Sequence, residues 1–497
     1  MFASVALLFV AVLLFLLFCQ TQRSKNFPPG PRPIPILGNL LDINLDNPTA
    51  DLERLAKCYG SIYSIFIGPR PAVVINGVQA VREALVNKAP DFSGRPQNQL
   101  ISNAVRVKAH APGVILADYN QGWREHRRFG LTTLRNFGLG KQFMEQRILN
   151  ETQYIMKLLE QSVGKPMNPH LTFHKATSNI ICQVLFGGRY DYEDEFVKFF
   201  VGIFHEIPKI INGRWGIIYD FIPLVRNLPL PFQKVFKMLR AAHEKYSAVL
   251  AMNKKTRVPN KPRHFIDCYL DELDKRADDG STFSEDQLCA FLLDLHIAGT
   301  DTTSNTLLFA FLYLMNYPQI QERCQQEIDQ VLEGKDEASF EDRHQMPYVQ
   351  AVIHEIQRVA NITPLSVFHC TTKDTELMGY SIPKGTIIIP NLSSVLYEEG
   401  QWKSHREFDP ENFLNEKGEF VKSESFMPFS TGPRVCLGEG LARMELFLIL
   451  VTLLRRFKFI WPEDAGEPDF TPVYGIAQTT KPYHMKIQPR ETIKKNH

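Results

Sequence analysis

FSTGPRVCLGEG (residues 429–440) sets Cys436 among glycines, a proline and an arginine, with turn formers before it and an apolar helical pattern after it. No other cysteine of the chain has such surroundings. A thiol there can be structural, nucleophilic, redox-active or a metal ligand. A nucleophile would need a partner base, and none is recognisable in the sequence.

The rest of the chain narrows the choice. Its 497 residues are 44% hydrophobic, ample for a large buried core. Lys and Arg total 56 against 54 Asp and Glu, a net charge of +2 that gives no reason to expect nucleic acid. The cysteines lie at 19, 58, 182, 268, 289, 324, 370 and 436, with no C-x-x-C pair. That irregular spacing speaks for reduced thiols in a reducing compartment, and against a disulfide framework or zinc ribbon. There is no internal repeat or low-complexity tract.

From Phe2 to Cys19 only Ser4 is polar, the short end of what spans a bilayer. No basic residue precedes this stretch and no A-x-A pattern follows it, so an uncleaved anchor is expected rather than a signal peptide. Arg23, Lys25 and Arg32 follow and place the remainder in the cytosol. The prolines of FPPGPRPIPILGN (27–39) forbid helix and read as a stiff spacer. The expected division is an anchor over 1–20, a Pro-rich hinge over 21–38 and a catalytic domain over 39–497.

Strand-like runs occur at 61–68, 72–77, 386–390 and 457–461, while 151–163, 231–253 and 317–334 carry helical periodicity. The expected class is mainly α with a smaller β part. One helix stands out. Ser284, three residues before Gln287, forms a capping-box pattern, and Pro318 ends the run. At 1.5 Å per residue, roughly 33 residues give about 50 Å, apolar on nearly all sides and so crossing the core. Yet its middle reads AGTDTT (298–303), and a carboxylate such as Asp301 is costly in a core without a partner or a function. His296 reads as a satisfied core histidine.

Here the chain resembles the cytochrome P450 family from end to end. F-x-x-G-x-R-x-C-x-G is matched by Phe429, Gly432, Arg434, Cys436 and Gly438. AGxDTT is matched by Ala298 to Thr303, E-x-x-R by Glu355 and Arg358, and W-x-x-x-R by Trp123 and Arg127. The anchor and hinge resemble the microsomal, drug-metabolising branch. FDPENF (408–413) has Asn412 where many relatives have Arg or His, which leaves open a third partner for the Glu355–Arg358 pair.

The resemblance implies heme b buried between the long core helix and the Cys436 loop, with the thiolate donating to iron. The glycines let the backbone approach, and the helix starting near Leu437 aims N–H groups and its positive end at the sulfur, both expected to lower its pKa. By resemblance, Arg434, Trp123, Arg127 and His369 hold the propionates, where bidentate Arg suits carboxylates. Glu355 and Arg358 are structural support behind the heme. Thr302 is assigned to oxygen activation and Asp301 to proton relay, with Gly299 leaving room for oxygen.

The pocket is expected to include Val114, then Phe291, Leu295 and Ala298 from the core helix, Ile362, Leu365 and Ser366, and Ile476. Mostly apolar stretches favour lipophilic substrates: xenobiotics, fatty acids or steroids. The implied function is an O2-dependent monooxygenase in the endoplasmic reticulum (microsomal) membrane, single-pass and facing the cytosol. Its electrons come from NADPH through NADPH–cytochrome P450 reductase, with cytochrome b5 a second donor in some relatives. No dinucleotide, flavin or iron–sulfur motif supplies them in cis. Arg124, Arg127, Arg128, Arg135 and Lys141, with only Glu125 among them, form a basic stretch suited to an acidic redox partner. The alternatives are a heme-thiolate hydroperoxide isomerase or dehydratase, told apart by a need for NADPH, and a non-catalytic gas sensor or electron carrier.

Overall fold

A computed structural model describes residues 22–107, 111–137, 142–276, 280–475 and 477–490. The expected core helix forms over Glu285–Asn316, 32 residues long. Ser284 caps it by accepting the Gln287 N–H at 3.1 Å, and Glu285 and Asp286 sit at its positive end. The reciprocal half of the capping box is absent. The Gln287 side chain donates instead to the Gly113 carbonyl at 2.9 Å, pinning a loop from another part of the chain. The helix packs most extensively on His170–Phe186 and also against Gln233–Thr256, Pro347–Ala360 and Glu439–Arg456.

The β part is small. β1 (Ile62–Ile67), β2 (Arg70–Asn76), β3 (His369–Cys370) and β4 (Ile387–Asn391) form one sheet in the order β1-β2-β4-β3. β1 and β2 make a hairpin, whereas β2 and β4 are parallel, Ala72 facing Ile387. That pairing lets β3 bring His369 into the interior beside Ile388. Phe457–Ile460 pairs with Lys486–Pro489 in a separate two-stranded sheet.

Among the described residues no helix is long and apolar enough to cross a membrane, and the expected anchor over 1–20 lies outside them. The Pro-rich segment departs from a free spacer. Ser64 on β1 donates its N–H to Pro29 O and its hydroxyl to Pro28 O, both at 2.7 Å, and Phe27 is buried. A proline run has spare carbonyls and few N–H groups, so it serves the strand as acceptor. The seven described cysteines are all free, as the spacing implied.

Glu355 and Arg358 are fully buried on helix Pro347–Ala360. Arg358 grips the carboxylate with two bonds of 2.7 Å, and its other N–H groups reach the Leu396, His405, Ser404 and Glu407 carbonyls. The third partner is Asn412 after all: its Nδ2 donates to Glu355 Oε1 at 3.2 Å, beside the Asp409 N–H at 2.8 Å. An amide donor there completes the carboxylate without adding a charge. Arg358→Ala strands a buried carboxylate and four carbonyls, an expected cost of about 3–5 kcal/mol. Urea unfolding would show it as a lowered midpoint; a shift worth under about 1 kcal/mol would mean that the helix relaxes around the gap.

Candidate functional site

The Cys436 loop is closed by the Cys436 N–H on Phe429 O at 3.0 Å. The Arg443 guanidinium lies 5.2 Å from the centre of the Phe429 ring. Gly432 has φ +76, and a Cβ there would stand 1.9 Å from the Leu85 carbonyl, so only glycine fits. Gly438 is not strained; a Cβ there would meet nothing closer than the Cys436 sulfur at 4.0 Å. It is the N-cap of helix Glu439–Arg456, which begins two residues later than expected.

The N–H groups of Gly438 and Glu439 are directed at the sulfur and stabilise a thiolate, as the helix start implied. That pull is downward as expected, but it is not the largest influence. Burial outweighs these bonds and the Arg127 charge, and it pushes the Cys436 thiol up. The residue is accessible although it lies among densely packed protein.

Beside that loop the structure gathers cations, with the exposed Asp118 carboxylate near them, accepting the Arg95 backbone N–H at 3.1 Å. Arg434 donates to the carbonyls of Ser93, Ala117 and Val114, and its guanidinium lies 4.1 Å from the Trp123 ring centre. Trp123 itself donates to Val114 O at 3.0 Å, and Arg127 to Val435 O. Arg95 joins them, buried and bonded to the carbonyls of Ile115, Val367 and Phe368. Burial lowers Arg434 to about 9 and depresses Arg95, on which Arg434 and Arg127 then add repulsion. His369 donates from Nδ1 to Phe92 O at 2.7 Å and is held far down by burial, then by Arg95 and Arg434. None of the three arginines makes an ion pair among the described residues.

The core helix divides its polar residues by face. Each residue turns about 100°. Gly299, Thr300 and Asp301 meet helix His170–Phe186. A Cβ on Gly299 would stand 3.0 Å from Ile181 Cγ1, so its missing side chain serves helix packing rather than room for oxygen. The Thr300 carbonyl accepts the Thr177 hydroxyl at 3.1 Å. Asp301 Oδ1 faces His174 Nε2 at 3.5 Å and accepts from Asn305 at 3.1 Å. Thr302, one residue on, donates to Ala298 O at 2.7 Å and is partly accessible.

His296 has both ring nitrogens bonded, Nδ1 with the Tyr246 hydroxyl at 2.8 Å and Nε2 with the Ser178 hydroxyl at 2.9 Å; it is the satisfied core histidine expected. Of the pocket residues, Ala298, Ile362, Leu365 and Ser366 are partly accessible, while Val114 and Leu295 are nearly covered. Phe291 departs from expectation. It is fully buried, its ring 5.3 Å from that of Phe265 and 6.4 Å from that of His126, on the side of helix Gln121–Phe137. Ile476 lies outside the described residues.

The cytochrome P450 family profile matches residues 28–487. The chain belongs to the cytochrome P450 family. Among curated relatives, cytochrome P450 2D15 of Canis lupus familiaris is 39% identical over 488 residues, 97% of each chain. Cytochrome P450 2F2 of Mus musculus is 39% identical over 468 residues, 94% of each, and cytochrome P450 2F5 of Gorilla gorilla gorilla 40% identical over 477 residues, 95% and 96%.

P450 membership implies heme, and the residues present fit it. An accessible thiol deep in the packed fold suits an iron ligand. Guanidiniums that make no ion pair among the described residues suit two propionates. Sequence reasoning missed Arg95, which nothing in its spacing sets apart among 56 basic residues. It also missed Asp294, whose Oδ2 accepts the Val114 and Ile115 N–H groups at 2.6 and 2.9 Å. Burial raises Asp294 to about 6. Its signal was available: a second carboxylate in an apolar helix. Gly432→Ala is expected to lower the melting temperature and heme content together, since φ alone costs about 1–3 kcal/mol before the clash. Gly438→Ala should leave the melting temperature of the loop fold nearly unchanged; equal losses in both would show that φ at 432 is not the constraint.

Proposed function

We propose that this protein is a membrane-anchored monooxygenase that inserts one atom of O2 into lipophilic small molecules, taking electrons from NADPH through a separate reductase. The observation that carries this reading is the accessible Cys436 thiol, set beside guanidiniums that make no ion pair among the described residues. Heme b held by a thiolate supplies an electron-rich iron at which dioxygen is activated.

The chain's own residues take the following parts. Cys436 is the iron ligand, its charge shared with the N–H groups of Gly438 and Glu439. Arg434, Arg127, Arg95 and Trp123 hold the propionate side. His369 joins them as the imidazolium, a form that carboxylates would favour and its present cationic neighbours oppose. Thr302 keeps a hydroxyl on the substrate-facing side of the core helix, and threonine in a helix can turn between two rotamers to pass its proton on. Asp301 Oδ1, toward His174, receives protons from the outside. Val114, Leu295, Ala298, Ile362, Leu365 and Ser366 give the site an apolar lining, which supports xenobiotic, fatty-acid or steroid substrates. Residues 1–20 anchor the chain in the endoplasmic reticulum membrane, with residues 39–497 as the cytosolic catalytic domain. Leu224, 91% exposed between Ile222 and Leu228, supports further contact with lipid.

The test is the carbon monoxide difference spectrum of the reduced protein. Cys436→Ser is expected to abolish the thiolate-type band and NADPH-dependent product formation together. A folded variant that keeps both would remove Cys436 from the mechanism.

For electron delivery, Arg124, Arg128 and Arg135 are exposed around a cleft of about 420 Å³ that also includes Pro433 of the Cys436 loop. None makes an ion pair among the described residues, and Lys141 lies outside them. Free cations this close to the ligand loop support docking of NADPH–cytochrome P450 reductase, and of cytochrome b5, through acidic faces. Arg128→Glu with Arg135→Glu should slow reductase-supported turnover about tenfold at low salt and flatten its salt dependence. Hydrogen peroxide-supported turnover should stay unchanged; equal loss in both assays would assign these residues to the fold.

A further inference from the structure

The Cys436 sulfur has an acid for a neighbour. Glu439 is the first residue of helix Glu439–Arg456. Its N–H is directed at the sulfur, while its negative charge works against a thiolate there. That charge is met by Arg443, one turn further on. The Arg443 Nε and Nη2 both donate to Glu439 Oε1, at 3.0 and 2.8 Å. Lys422 stands 3.9 Å from the same oxygen with its side chain 49% exposed, whereas the Arg443 side chain is 20% exposed. Arg443 is therefore the closer and less screened partner.

Arg443 is held more firmly than such a pair requires. Its Nη1 donates to His354 Nε2 at 2.6 Å. His354 donates from Nδ1 to Gln350 O at 2.7 Å, which leaves Nε2 as the acceptor. Burial, and then the Arg443 charge, hold His354 down to about 3, so the ring is neutral at physiological pH. The rings of Phe420, Phe426 and Phe413 surround it, with centres 4.5, 5.0 and 5.5 Å away. Arg443 also lies over Phe429, whose carbonyl accepts the Cys436 N–H. It thus meets the chain on both sides of Cys436, at Phe429 before it and at Glu439 after it. An exposed i, i+4 pair contributes little to stability, so a guanidinium braced in this way points to another use.

We infer that Arg443 sets the donor strength of the Cys436 thiolate: by keeping the Glu439 carboxylate neutralised beside the sulfur, it limits the electron density that the ligand passes to iron. The inference rests on Cys436 as the iron ligand. Its test is the ferric–ferrous midpoint potential of the holoenzyme, with the C–O stretch of the reduced carbon monoxide complex as a second readout. Arg443→Gln leaves the Glu439 charge uncompensated. It should favour the ferric form about threefold to tenfold, a fall of up to about 59 mV, and lower the C–O stretch. Glu439→Gln leaves the cation and should move both readouts the opposite way. The double variant has neither charge, and Arg443→Lys keeps the positive one; both should stay close to the unaltered protein. Loosened packing alone would move the two single variants in the same direction. Shifts of the same sign, no shift in either, or a double variant displaced as far as the single ones would overturn the proposal. Absence of the thiolate-type band in the unaltered holoenzyme would instead remove the ligand assignment, and this proposal with it.

Discussion

A thiol closed in by protein stays protonated unless positive charge is brought to its sulfur. Two backbone N–H groups reach Cys436, and Arg127 is near, yet burial still prevails. A few residues away the problem is reversed: Arg95, Arg127 and Arg434 crowd together, and none makes an ion pair among the described residues. One ligand answers both, with a cationic centre for the sulfur and anionic edges for the guanidiniums. An iron porphyrin with two propionates has that distribution of charge. Heme bound here would answer both places at once, which ties its binding to the stability of this region.

Elsewhere two buried carboxylates are completed internally. Glu355 is met by Arg358, Asn412 and the Asp409 N–H. Glu151, equally buried, is met by Arg189, Tyr192 and Asn179. Both carboxylates are raised first by burial and then pulled back by their partners. Against these neutral assemblies the guanidiniums near Cys436 bond only to carbonyls. It is a cluster of like charges left in that state, rather than burial of charge as such, that marks a ligand site.

Features carried by contiguous residues were legible. The core helix declares itself by length and a cap at Ser284; the strands and the reduced cysteines follow from local pattern. Within the candidate site, the loop around Cys436 and the glycine at 432 could be read from twelve letters. Other features lie in tertiary partners. Arg95 matters because a distant segment brings it against Arg434, and Asn412 because it reaches Glu355. Gly299 looked like room for a ligand and is instead a helix contact, since only the facing Ile181 reveals what the missing Cβ avoids. The downward pull of the helix start on the sulfur was legible, whereas the larger opposing effect of burial was not.

The core helix shows how one apolar rod can carry so many polar groups. Gln287, Asp294 and Ala298 fall seven and four residues apart and share a face. The first two hold the loop bearing Gly113, Val114 and Ile115, whose Val114 carbonyl accepts in turn from Trp123 and Arg434. His296, about 200° round from Asp294, binds to Tyr246 and Ser178 of two other helices. Asp301 is turned to His174, and Thr302 to its own helix. Gln287, Asp294, His296 and Asp301 are thus each met by a different part of the chain. The same bonds fix the rotation of the helix about its axis. A slip of one residue would turn Thr302 by about 100° and break the contacts of Asp294 and His296 together. The polar residues that looked costly in an apolar helix are therefore what orients it, and Thr302 inherits its position from them.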